Sequence, residues 1–466
     1  MKFSQYYLDC LSQASYLIGD ESSGTAVIVD PQRDVGEYLR DAADAGLTIE
    51  YVIETHFHAD FVSGHLELAE ATGATILYSS VAETEFAVRG MADGERLLLG
   101  PDDTNPVTLE FRHTPGHTPE SMSIVIYERA DDVEPEAVLT GDTLFIGDVG
   151  RPDLLSSQGV TREELASCLY DSLHDKLMTL PDDTKVYPAH GAGSACGKNL
   201  STDLWSTMGA QKESNYALRA PDKETFVELV TDGQVPAPGY FSYDATFNRS
   251  THELLDEHEP PTPMTFDEAR AAVAAGAMLI DGRNPEEFNH GHLRDAINVG
   301  LNGRYAEFAG SVVPPDVDIV LIAEPGQELE GKNRLARIGF DRVVGYVDEP
   351  YKTMFQHRDD TRVGSRLTAR RFDEMVRSGE VRDLQIVDVR GPGEVADGAI
   401  PDAIEIPVNQ LPTRLRELDP GRPTVVYCAG GYRSSVAASL LRQQGFVDVS
   451  DILGGYGAWA EATQPA

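Results

Sequence analysis

Lysine is scarce in this chain: of 38 basic residues among 466, only 8 are lysine. Against 77 acidic residues the formal charge is -39, which argues against nucleic acid as a partner, because phosphate needs the opposite sign. The acidic excess is spread along the chain rather than gathered in a tail. Such a surface suits concentrated salt, which screens self-repulsion; the plainer alternative is an acidic cytosolic protein. Cysteine is also rare. Cys10, Cys168, Cys196 and Cys428 have scattered spacing that makes no disulfide framework, which fits a reducing cytoplasm where single thiols carry chemistry. No apolar run approaches the length of a membrane span, so no membrane partner is expected. The opening MKFSQYYLDCLSQASYLIGD has no basic segment followed by an apolar core, so no export signal is expected either.

What is present is enough for several cores: 41% apolar and 8% aromatic residues in a length that implies two to four domains. The C-terminal half repeats itself. LIDGRNPEEFNHGHLRDAINV from Leu279 lies against IVDVRGPGEVADGAIPDAIEI from Ile386, so that Asp281 faces Asp388, Arg283 faces Arg390 and Gly291 faces Gly398. Each copy opens with an amphipathic helical pattern and a buried apolar strand, then alternates helices and strands, which implies an α/β domain with a parallel sheet. The proline-rich HEPPTPM at 258–264 separates this half from an N-terminal region of alternating strands and helices, expected to form a two-sheet α/β sandwich with helices outside. The expected domains are 1–260, 261–360 and 361–466.

Histidines and aspartates of the first half gather at strand ends. YVIET runs into His56, His58 and Asp60; VTLEFRH into TPGH with His117; AVLTGD ends in Asp142; KVYPAH ends in His190. Four such transitions point to a metal site, whereas His65 and His113 read as ordinary packing. Near the other end, YCAGGYRSS follows a buried strand and precedes a helix. Loop N–H groups and the helix dipole favour an anion at Cys428, with Arg433 close by, so this cysteine can carry a persulfide. In the middle copy Ala323 aligns with Cys428 and Glu328 with Arg433, so that copy is expected to be silent. Cys196 sits among small residues in AHGAGSACGKNL and is expected in an exposed loop; Cys10 and Cys168 are expected to be packing residues.

THxHxD, TPGH, TGD and YPAH in this order resemble the metallo-β-lactamase fold, in its glyoxalase II and persulfide dioxygenase branches. CxxGxR[ST], with DVR upstream and ILGGYGAW downstream, resembles a rhodanese. Together the motifs resemble bacterial persulfide dioxygenase–rhodanese fusions over nearly the full length. The resemblance implies an N-terminal metallo-β-lactamase αββα sandwich, a silent rhodanese-like domain and an active one. Phe61 stands where the dinuclear hydrolases have the last histidine of HxHxDH, a ligand of their second metal. His56, His117 and Asp142 remain, the two-histidine, one-carboxylate set of non-haem Fe(II) oxygenases, so one mononuclear iron is implied. His58, Asp60 and His190 would then orient the ligands or the substrate. Arg151, Gly430, Gly431 and Tyr432 are implied in substrate binding, Cys428 and Arg433 in sulfur transfer, and Cys196 as a second thiol. The implied partners are a low-molecular-weight thiol persulfide, O₂ and sulfite, in a homo-oligomer. The rivals are a zinc thioester hydrolase of the glyoxalase II kind joined to a sulfurtransferase, and a sulfur-carrier protein.

Overall fold

The computed structural model describes residues 1–154, 160–234 and 237–463. They divide into two compact units, Met1–Ala237 with Phe241–Glu257, and Pro238–Tyr240 with His258–Ala466.

In the first unit two six-stranded sheets face each other. One sheet takes its strands in chain order, from Lys2–Leu8 through Thr25–Val29 and Thr48–Ile53 to Arg89–Met91. Its first pairings are antiparallel, and those from Thr25–Val29 onward are parallel. The other holds Thr108–His113, Met122–Tyr127, Ala137–Gly141 and Lys185–Pro188 as consecutive neighbours. Strands here are apolar on both faces because both faces are covered. Val27 and Val29 meet Leu109, Phe111 and Ile124 between the sheets. Ala26 and Ile28 face outward onto Tyr38, Ala42 and Leu68 of the helices Gly36–Asp44 and His65–Thr72. Beyond the second sheet, Val138 and Val186 pack on Leu169, Phe226 and Val230 of the helices Arg162–Asp171 and Lys223–Thr231. The result is the expected αββα sandwich.

The second unit contains two five-stranded, all-parallel sheets with the same strand order. The repeated Asp-x-Arg…Gly pattern has a shared structural reason. Arg283 forks onto Asp281 at 2.6 Å and donates to the Gly291 carbonyl at 2.8 Å; Arg390 forks onto Asp388 at 2.6 Å and donates to Gly398 at 2.7 Å. Each pair is buried, and a bidentate fork with further bonds satisfies the charges that burial would otherwise penalise. No helix among the described residues is long and apolar enough to cross a membrane.

Candidate metal centre and cysteine loop

The strand ends of the first unit bring His56, His117 and Asp142 together, all buried, with ligand atoms within 4.8 Å of one another. Asp142 Oδ2 lies 3.8 Å from His56 Nε2 and 3.4 Å from His117 Nε2. None of these three atoms makes a hydrogen bond among the described residues. Three buried polar atoms turned on one point without partners are costly unless an ion sits between them, and their spacing suits bonds of about 2.1 Å to a first-row metal.

Hydrogen bonds behind the three side chains fix which atom faces that point. Thr55 Oγ1 gives its proton to Asp30 Oδ2 at 2.9 Å, so at 3.0 Å it accepts from His56 Nδ1–H and leaves Nε2 bare. His117 Nδ1–H donates to the Arg151 carbonyl at 2.9 Å, again leaving Nε2 bare. Burial pushes both imidazoles below their ordinary value, which keeps them neutral and able to ligate. His190 lies between two carboxylates, Nδ1 on Asp142 Oδ1 at 2.7 Å and Nε2 beside Asp60 Oδ2 at 2.8 Å. Burial opposes its charge, but Asp142 and Asp60 outweigh burial and raise it well above the ordinary histidine value. Burial would raise Asp142, yet the surrounding histidines, His190 first, hold it well below the usual carboxylate range. His190 therefore occupies one oxygen of Asp142 and turns the other to the histidine pair. Gly150 is required here: a Cβ would come within 1.9 Å of the Asp142 carbonyl oxygen.

His58 turns the other way. Its Nε2 lies 3.1 Å from Asp30 and 3.5 Å from Glu54, and despite burial these carboxylates raise it to about 10. The buried Phe61 ring packs 4.3 Å from the His58 ring and offers no ligand atom. His65, read as bland, is buried with Nδ1 3.5 Å from Glu54 in this same cluster; His113 bonds Ser79 and the Met91 carbonyl, as packing requires.

Cys196 corrects an expectation: it is 1% exposed, not on an open loop. The Gly- and Ala-rich segment folds inward, and its thiol comes within 4.8 Å of ligand atoms of Asp60 and His190. Burial first, then Asp60 and Asp142, raise its pKa well above the ordinary thiol value. Cys168 also differs from expectation, being exposed rather than packed, while Cys10 is half-buried. Arg151 forks onto Asp153 at 2.7 Å and donates to the Ala195 carbonyl at 3.1 Å, bracing the loop that carries Cys196.

One residue of this site gave no signal in the sequence. Asn248, fully buried, donates to the carbonyls of His58 and Phe61 at 2.8 Å each and accepts from Ser63 N–H at 2.9 Å. A single side chain thus satisfies the backbone of the metal loop from about 190 residues away.

In the second unit Cys428 is buried at the N-terminal end of the helix Tyr432–Gln443. Its Sγ accepts from Gly431 N–H at 3.1 Å, with Ser434 Oγ at 3.6 Å. Gly431 has φ +110°, a conformation that glycine adopts without strain. Arg433 forks onto Glu394 at 2.6 and 2.7 Å; Glu394 is lowered by that bond. Tyr432 turns its hydroxyl to the Gly300 carbonyl at 2.5 Å, and Gly430 lies open in the loop. In the middle copy Ala323 is buried at the position of Cys428.

Residues 8–190 match the metallo-beta-lactamase superfamily, and residues 265–353 and 368–462 each match the rhodanese-like domain. The human mitochondrial persulfide dioxygenase ETHE1 is 32% identical over 240 residues, which span 50% of this chain and 82% of that one. The chain belongs to the persulfide dioxygenase family. It joins that domain to two rhodanese-like domains, the fusion its motifs resemble. A sulfurtransferase of Allochromatium vinosum is 40% identical over 89 residues, 19% of this chain and 83% of that one. A solved metallo-beta-lactamase structure from Staphylococcus aureus, 32% identical, covers 74% of this chain and 98% of its own with a TM-score of 0.66. The persulfide dioxygenase domain holds the histidine–aspartate centre, and the last rhodanese-like domain holds the cysteine loop.

Proposed function

We propose that the chain oxidises a low-molecular-weight persulfide at one mononuclear Fe(II) and then makes thiosulfate from the sulfite through Cys428. The three functional parts are 1–260, 261–360 and 361–466. The observation that carries the reading is the convergence of the bare His56 Nε2, His117 Nε2 and Asp142 Oδ2 beside an apolar Phe61. Two neutral histidines and one carboxylate leave open positions on a single ion, a donor set typical of non-haem iron oxygenases. Iron held there supplies the O₂ chemistry that makes RSSH + O₂ + H₂O into RSH + SO₃²⁻ + 2 H⁺.

The chain's own residues do the rest. Thr55 and the Arg151 carbonyl hold the imidazoles in the ligating tautomer, and His190 holds Asp142. The aromatic Phe61 and Phe145 lie 6.4 and 6.2 Å from the His190 ring, lining that side with apolar surface. In the last domain, Cys428 attacks the outer sulfur of a second persulfide. An S–S bond forms at Cys428, the RS–S bond breaks, and RSH leaves with the proton. Sulfite then takes that sulfur, giving thiosulfate and restoring Cys428. The Gly431 N–H on Sγ favours the anionic sulfur at each stage.

Two measurements test this. Purified under argon, the chain should hold about one iron and consume O₂ with a thiol persulfide; zinc without oxygen uptake would favour the thioester hydrolase. Cys428→Ser should release sulfite with little thiosulfate, and an unchanged thiosulfate yield would refute the relay.

A further inference from the structure

The middle rhodanese-like copy keeps its sheet and its buried Asp281–Arg283 fork but has Ala323 in place of a nucleophile. Its contacts with the helix Tyr432–Gln443 give it a different task. That helix begins just after the Cys428 loop, whose Gly430 and Gly431 have no side chains to hold it in place.

The helix is held from the middle copy at three successive points. Asn298, buried at the end of the strand Ile297–Asn298, accepts from Ser435 Oγ at 2.6 Å, and its own N–H donates to Ser439 Oγ at 2.9 Å. Its Nδ2 donates to the Asp281 and Arg283 carbonyls at 3.0 and 2.8 Å, so the side chain is anchored to the same turn that carries the fork. One turn nearer Cys428, the Tyr432 hydroxyl donates to the Gly300 carbonyl. The Tyr432 ring lies over Gly303, where a Cβ would approach it to 2.7 Å, and 5.5 Å from the ring of Phe308.

We infer that the silent copy is the seat of the cysteine loop: Asn298, Gly300 and Gly303 fix the helix through Ser435 and Tyr432, and so place Gly431 N–H on Cys428 Sγ. Tyr432 and Ser435 are positioning residues, and the residue before Arg433 spends its hydroxyl on the seat rather than on substrate. This rests on the sulfur-transfer reading of Cys428.

The test uses the full chain, thiosulfate as sulfur donor and cyanide as acceptor. Tyr432→Phe and Ser435→Ala should each lower kcat/KM for thiosulfate by about three- to tenfold, the worth of one buried hydrogen bond. Ser435→Thr, which keeps the hydroxyl, should recover it. Gly303→Val should lower it further by displacing the Tyr432 ring. Oxygen uptake with a persulfide should be unchanged in Ser435→Ala and Gly303→Val, and the circular dichroism of each variant should match the wild type, so that loss of folding in the second unit would be visible. Iodoacetamide alkylation of Cys428 should change rate in Tyr432→Phe and Ser435→Ala and return to the wild-type rate in Ser435→Thr. Wild-type transfer and alkylation rates in folded Tyr432→Phe and Ser435→Ala overturn the seat. If Cys428→Ser itself transfers sulfur normally, the sulfur-transfer reading fails instead, and the alkylation rates alone decide the seat.

Discussion

His292 illustrates what burial does to one residue. It is 4% exposed, its Nδ1–H bonds the Phe288 carbonyl at 2.9 Å, and its ring stacks on Phe288 at 3.9 Å. Burial, with the Arg442 charge nearby, pushes it from the ordinary 6.5 down to about 4. The unfolded chain therefore binds a proton between these values that the folded chain does not. Stability is whole above about pH 6.5 and falls as pH drops toward 4, by up to about 3 kcal/mol. Urea melts of the wild type at pH 7 and pH 5 should show this fall, and His292→Gln should make it shallower; an equal fall in the two proteins would reject the assignment.

At the scale of elements, the metal loop after the strand Thr48–Ile53 depends on partners from distant segments. Asn248→Ala leaves two buried carbonyls and one N–H without partners, a cost of about 2–4 kcal/mol. The expected outcome is a lower melting temperature together with less metal retained after dialysis against a chelator. Loss of stability with undiminished metal would show that the loop holds its shape without Asn248. The convergence of His56, His117 and Asp142 was legible in the sequence because strand ends punctuate it: a buried run stops, and His or Asp follows. Asn248 was not legible, since one asparagine after the helix Phe241–Phe247 has no local pattern, and only the folded chain brings it under His58 and Phe61. Cys196 misled for a related reason. Small residues usually mark open loops, but here they let the backbone close over His190. The repeat was visible in the sequence, and its strand order follows from it; the bonds of Asn298 to Ser435 and Ser439 were not, because those two partners lie in the other copy.

For the molecule as a whole, a charge of -39 spread over the chain sets a repulsion that salt must screen. Between about 0.1 and 1 M KCl the Debye length falls from roughly 10 to 3 Å, so the melting temperature should climb across that range. A salt-independent melt would leave the acidic composition without a stabilising role for salt. Net charge also bears on the substrate: an anionic persulfide approaches a surface of its own sign, so encounter should quicken as salt rises.

The bonds from Asn298 to Ser435 and Ser439 matter to anyone trimming the protein. The obvious economy would discard the copy without a nucleophile and express residues 361–466 alone. Such a fragment would expose the flank of the helix Tyr432–Gln443 that the discarded copy covers, with the Ser435 hydroxyl stripped of its Asn298 acceptor and Ser439 Oγ left with only its bonds inside the helix. If the middle copy seats the cysteine loop, residues 361–466 alone should transfer sulfur more slowly than the two rhodanese-like copies together, and equal rates would show that the helix holds its place without the copy that lacks a nucleophile.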